Sequence, residues 1–261
     1  MGAPTIKSEA ELELMREPNR IVAEVLELVG RAVRPGVTTG MLDALAEDFI
    51  RSRGGIPVFK GYGYEPDNLF PATLCVSIDN EVVHGLPGFR ILKDGEIVSI
   101  DVGVKKNGFV GDGAWTFPVG IVSPEKERLM RVTRESLEKA IAQAVEGNRV
   151  GDIGFAVQRH VEEAGFSVVR ELCGHGVGRE LHESPNVPNF GHRKSGAKLV
   201  EGMTIAIEPM VNMGTHKVRT AHDGWTILTL DGEPSAHFEH TVVVRKQKAE
   251  ILTTQVSRER L

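Results

Sequence analysis

The sequence predicts an α+β fold of two pseudo-symmetric halves closing around a shared site. Two observations carry that expectation. Residues 36–54 (G-V-T-T-G-M-L-D-A-L-A-E-D-F-I-R-S-R-G) align without a gap with residues 147–165 (G-N-R-V-G-D-I-G-F-A-V-Q-R-H-V-E-E-A-G), three glycines and most apolar helical positions coinciding. Strand-like stretches bearing acids follow each copy: Asp101 and Asp112 in the first half, Glu208 and Glu239 in the second. One repeat of about a hundred residues is neither a solenoid nor an array. The competing reading is chance similarity between two amphipathic helices. Residues 1–261 are read as a single catalytic domain, with halves at about 10–120 and 124–245.

Composition narrows the class. Lys and Arg number 31 against 36 Asp and Glu, a formal charge of −5, which points to neither nucleic acid nor a membrane surface. No apolar run approaches the roughly 20 residues of a membrane span, and the opening M-G-A-P-T-I-K lacks the apolar core of a secretory signal. Cys75 and Cys173 are too few for a disulfide framework. A cytoplasmic protein is the expectation.

Taken in order, residues 8–32 carry Leu12, Met15, Ile21, Val22, Val25, Leu26 and Val29 at helical spacing, with Pro18 expected to break or bend the helix. Pro35-Gly36 ends it. Thr39 is the expected cap of a second helix, closed by Gly54-Gly55. Residues 56–71, rich in Gly, Pro, Tyr and Phe, read as a loop. A strand is expected at 73–78, then a loop holding His84. Helices are expected at 124–146 and 152–164.

Residues 98–115 (V-S-I-D-V-G-V-K-K-N-G-F-V-G-D-G-A-W) read as a β-hairpin, because Asn107-Gly108 suits a type I′ turn whose two positions need positive φ. Lys106 then pairs with Phe109, Gly103 with Asp112 and Asp101 with Ala114. Alternation puts Asp101 and Asp112 on one face as diagonal neighbours, and Ile100, Val102, Val104, Phe109 and Trp115 on the other. Taken alone, this fits a metal pair and two solvated carboxylates equally well.

The second half holds C-G-H-G-V-G-R-E-L-H-E-S-P, in which His175 and His182 are able to converge. Glu208 in M-T-I-A-I-E-P-M-V and Glu239 in S-A-H-F-E-H-T-V-V-V each sit in an apolar strand, where a carboxylate is rare unless paired or bound to metal. Asp101, Asp112, His175, Glu208 and Glu239 form a set suited to two borderline-to-hard divalent ions.

The order S-I-D-V-G, G-D-G-A-W-T, G-H-G-V-G-R-E-L-H-E, T-I-A-I-E-P-M, G-W-T and F-E-H-T-V resembles the type I, bacterial-like methionine aminopeptidases over nearly the whole chain. The resemblance implies the pita-bread fold and removal of an N-terminal methionine from peptides and nascent proteins when the second residue is small. It implies attack by a hydroxide bridging two divalent ions (Co, Mn, Fe or Zn, which the sequence does not distinguish). Asp101 would chelate one ion, Asp112 and Glu239 bridge both, and His175 and Glu208 complete the other. Glu208 would also be the proton acceptor, with His84 and His182 contacting the scissile amide. Tyr62, Cys75 and Trp225 are the expected methionine-pocket residues, ordinary core packing being the alternative for Tyr62 and Trp225. A monomer is implied, with the ribosome as a partner for which the basic loop 191–196 (G-H-R-K-S-G) gives weak support.

Departures from the family pattern fall on the pocket wall: a longer 61–74 segment, Leu181 where an aromatic is frequent, and Val83 before His84. Two rival readings remain. Prolidase and aminopeptidase P share the fold and ligands but usually carry a large extra N-terminal domain; a binding protein that has lost its metals would have lost ligands too.

Overall fold

The computed structural model describes residues 4–63 and 65–254. Helix α1, Glu9–Ala32, opens on a capping box: the Ser8 hydroxyl accepts from the Glu11 N–H, and the Glu11 carboxylate accepts from the Ser8 N–H. Its buried stripe is the one the spacing predicts, but Pro18 does not break it. One residue on, the Asn19 amide donates to the Met15 carbonyl at 2.8 Å. Helix α2, Thr39–Ser52, is capped by Thr38 rather than Thr39, the Thr38 hydroxyl accepting from the Met41 N–H. Thr39 is drawn away because its hydroxyl accepts from Gly88 N–H at 2.8 Å and donates to Gly88 O at 3.2 Å.

Helix α3, Pro124–Ile141, stops short of residue 146 because the chain turns aside there, Glu146 N–H donating to Arg245 O at 2.9 Å. Helix α4 spans Val150–Glu163. The sequence repeat is a structural one. Gly36 and Gly147 take φ of +91° and +93°, and Gly54 and Gly165 take +68° and +80°. Gly40 N–H donates to Gly88 O as Gly151 N–H donates to Ser195 O, and Thr39 N–H to Arg90 O as Val150 N–H to Ala197 O. In both copies a loop crosses over the first turn of the helix, and a glycine lets it come close.

The hairpin forms in the expected register. Strands Ile97–Lys106 and Phe109–Pro118 pair Lys106 with Phe109, Gly103 with Asp112 and Asp101 with Ala114, with Asn107 and Gly108 at φ +55° and +77°. Leu74–Ile78 flanks the first strand on its other side. In the second half, Thr204–Ile207 is likewise central, between His240–Val243 and Cys173–Gly176. Each sheet packs on its own helices. Ile21, Val25, Leu42 and Ile50 meet Val76, Ile100 and Val102 in one core; Leu129, Leu137, Ile153 and Val157 meet Ile205, Ile207 and Val242 in the other. Trp115 packs against both cores.

The halves meet along Phe109–Pro118. Glu239 N–H donates to Ala114 O at 2.9 Å, and the Thr241 hydroxyl to Asp112 O at 2.8 Å. On its far side this strand crosses α1 at Gly111, where a Cβ would sit 2.6 Å from Asn19 N. Asp112 is therefore held by backbone on both sides.

At Gly151 a methyl group would run into the Ser195 hydroxyl and the His192 carbonyl. Gly151→Ala is expected to cost about 1–3 kcal/mol by overpacking, measured by urea unfolding. An unchanged midpoint would mean the crossing is looser than described.

Candidate metal centre

Glu208 and Glu239 do not lie within strands, as the apolar pattern predicts, but at a joint between sheets. Residues Thr204–Ile207 pair with His240–Val243, and Met210–Asn212 with Ser235–His237. Between these pairings both chains break together, at Glu208-Pro209 and Phe238-Glu239. The Glu239 N–H turns to the first half at Ala114, and the Glu208 carbonyl accepts from the Asn189 amide at 2.9 Å. The break turns both carboxylates towards the hairpin acids.

His175 stands in Cys173–Gly176. Its Nδ1–H donates to the Gly176 carbonyl at 2.9 Å, which leaves the Nε2 lone pair facing the acids. Nε2 lies 3.5 Å from Glu208 Oε1 and 3.7 Å from Asp112 Oδ2. One ligand atom from each of Asp112, His175 and Glu239 falls within 4.8 Å of the others. Asp112 is 3% exposed and Glu239 2%.

Such crowding is costly without a counter-charge. Burial pushes the Asp101 carboxyl up to about 7. Burial and the neighbouring carboxylates raise Asp112, Glu208 and Glu239 well above the usual carboxylate range. Buried Asp101 Oδ1, Asp112 Oδ1 and Glu239 Oε1 accept no hydrogen bond among the described residues. Buried carboxylate oxygens are rarely left so. Acidic oxygens with one neutral imidazole, kept so by burial at about 3, fit a divalent cation.

The cluster lies in a cavity of about 790 Å³ whose lining also includes Phe59, Tyr62, Phe70, Cys75, His84, Leu181, His182 and Trp225. Every candidate residue read from the sequence is therefore gathered here. Cys75, 5% exposed, is kept a thiol by burial and the nearby acids. The Tyr62 hydroxyl is hydrogen-bonded to His182 Nδ1, and the His182 ring meets the His175 ring edge-on at 4.3 Å. His84 is held at φ +59° beside Gly85, whose N–H donates to the Ser77 hydroxyl at 3.0 Å. Burial depresses His84 to about 4.

Three residues escaped the sequence reading. Phe59 and Phe70 form an edge-to-face pair, and Phe70 continues edge-on to Trp225, whose Nε1–H donates to Asn68 at 3.1 Å. The 61–74 segment thus builds the pocket wall. The third, His237, lies 3.8 Å from Glu208; two-residue alternation back from Glu239 is the signal that could have found it.

Matching α+β halves around buried acids and an imidazole define a pita-bread metallohydrolase. Residues 13–246 match the metallopeptidase family M24, and the chain belongs to that family. Its relatives include the methionine aminopeptidase of Clostridium perfringens, 53% identical over 95% of this chain and 98% of that one. Among solved structures, the methionine aminopeptidase of Thermotoga maritima superposes with a TM-score of 0.93 at 44% identity, covering 97% of this chain and 100% of that one. The X-Pro aminopeptidase of the same organism, at 22% identity and TM-score 0.74 over 95% and 62%, shares the fold alone. Metallopeptidases of this family use divalent metal ions, and the acids here suit them. Among the described residues no helix is long and apolar enough to cross a membrane.

The raised carboxyl values make the folded, metal-free protein hold protons that the unfolded chain has released. Their contribution is present at low pH and lost as pH rises through the folded values. The depressed histidines act in the opposite direction, but only up to the unfolded histidine range, near about 6.5. The metal-free protein is therefore expected to melt lower as pH rises through about 7, the folded Asp101 value, and saturating Mn²⁺ to abolish that decline. Scanning fluorimetry checks it, a flat metal-free profile being the contrary result.

Proposed function

We infer that this protein removes the N-terminal methionine from peptides, favouring those whose second residue is small. The observation that carries this is the apolar chamber of Phe59, Tyr62, Phe70, Cys75, Leu181 and Trp225, which opens directly on the acidic cluster. It suits an unbranched, polarizable thioether side chain. Asp101, Asp112, Glu239, His175 and Glu208 would hold two divalent ions, with Mn, Fe, Co and Zn all compatible. Bound there, the ions supply Lewis acidity that polarises the scissile carbonyl and lowers the pKa of a water towards about 7.

The protein's own groups do the rest. Glu208 takes the proton of the attacking water and passes it to the leaving amine. The Tyr62 hydroxyl donates to Nδ1 of His182, so the Nε2–H of that ring is free to donate to the carbonyl oxygen as charge develops. His84, neutral, holds the scissile nitrogen. The substrate's α-amine lies beside Asp101, which makes the enzyme an aminopeptidase. The second residue passes between His84 and His182, where bulk displaces the carbonyl, and about 1 Å of misplacement can cost about 10²-fold. We further infer a cytoplasmic monomer acting on nascent chains, the exposed basic loop at 192–194 offering charge for a ribosomal surface.

Turnover of Met-Ala-Ser should far exceed that of Met-Leu-Ser and Ala-Pro-Ser; preference for Ala-Pro-Ser would make the enzyme a prolidase-like relative instead. Glu208→Gln, which keeps an oxygen but cannot accept the proton, should lower kcat at saturating metal by at least about 10²–10⁴-fold. Asp112→Asn should weaken ion binding at both sites in isothermal titration. Unchanged stoichiometry and affinity would reject Asp112 as a residue that would hold the ions.

A further inference from the structure

His237 is 1% exposed and takes no part in the chemistry assigned above. Its backbone is held tightly. The His237 N–H donates to the Thr116 hydroxyl at 3.0 Å, that hydroxyl donates to the His237 carbonyl at 2.7 Å, and the residue pairs with Met210 across the small sheet. The imidazole Nε2, by contrast, is buried and has no hydrogen-bond partner among the described residues. Facing it, 3.8 Å away, is Glu208 Oε2. The other oxygen, Oε1, faces His175 Nε2 at 3.5 Å. One carboxylate thus stands between two imidazoles, one oxygen to each.

The two rings are not equivalent. His175 commits its proton to Nδ1 through the Gly176 carbonyl, so it offers Glu208 only a lone pair. A neutral His237 ring carries one proton as well. On Nδ1 it would leave a nitrogen lone pair buried against carboxylate lone pairs, whereas on Nε2 it points a donor at Oε2. A shift of about 0.8 Å brings that pair to ordinary hydrogen-bond length.

We propose that His237 is the positioning residue for Glu208: its Nε2–H holds Oε2 and keeps Oε1 turned to the His175 side of the cluster. This rests on the assignment of Glu208 as ligand and proton acceptor. An unrestrained glutamate, swinging at the open joint between the two sheets, would present the wrong oxygen to the water for part of the time. Partners that orient ligating side chains typically contribute about 10–100-fold in affinity or activity.

Gln and Met match each other in length, and only Gln carries an N–H. His237→Met is expected to lower kcat on Met-Ala-Ser by about 10–100-fold, with KM changed by less than about threefold, and to weaken Mn²⁺ binding in isothermal titration by about tenfold or more. His237→Gln should recover both to within a few-fold of wild type. In a Glu208→Gln background, His237→Met should add little. Wild-type behaviour of His237→Met, or equal damage from Met and Gln, overturns the proposal. Should His237→Met fail to fold, the imidazole ¹⁵N spectrum of the zinc-loaded wild type decides, with the His237 signal assigned by its loss in His237→Gln: an Nε2–H tautomer supports the proposal and an Nδ1–H tautomer overturns it. A Glu208→Gln enzyme with wild-type turnover would instead remove the assignment beneath it. A crippled Glu208→Gln beside a normal His237→Met removes only this inference.

Discussion

Everything in this structure answers to the cost of holding Asp101, Asp112, Glu208 and Glu239 together in one buried place. Burial lifts all four carboxyls above their ordinary range, and neighbouring carboxylates add to it at Asp112, Glu208 and Glu239. Such groups scatter or protonate unless the backbone gives them no alternative and a cation is on hand. The fold supplies the first condition. Asp101 and Asp112 sit on a hairpin of two ten-residue strands closed by a turn of fixed geometry. Glu208 and Glu239 sit at a shared break between two pairings, each pairing setting the register of one side.

The same constraint explains why the hairpin is gripped so closely. Gly111 admits α1 against the strand, one residue from Asp112, and Thr241 and Glu239 bind the strand on its other side. Helix pairs α1–α2 and α3–α4 then brace the two sheets from outside, each second helix crossed by a loop that only glycine admits. Two halves with separate cores also leave a seam between them, and the seam is where the pocket opens. Within it the work divides by polarity. An aromatic wall lines one side, and on the other burial holds His84, His175 and His182 below the ordinary histidine range.

Much of this was legible in the residues. Helix faces, the hairpin register and the internal repeat all follow from interactions within a few residues or from periodicity. The acids of the cavity were legible because a carboxylate in an apolar run is a local contradiction. Small errors arose where distant chain intervened. Thr39 lost the cap to Thr38 because Gly88 claimed its hydroxyl, and α3 ended early because Arg245 claimed Glu146 N–H.

By itself, then, the sequence determined the helices, the hairpin and which polar side chains gather in the cavity, since these depend on short-range geometry. The tertiary structure alone decided where the sheets break at Glu208 and Glu239, that the 61–74 segment lends Phe70 to the pocket wall, that Tyr62 meets His182, and that His237 faces Glu208. One of those contacts, Tyr62 with His182, joins residues 120 positions apart in the chain. No local pattern encodes such distances, because they are set only when both halves have packed and the seam between them has closed.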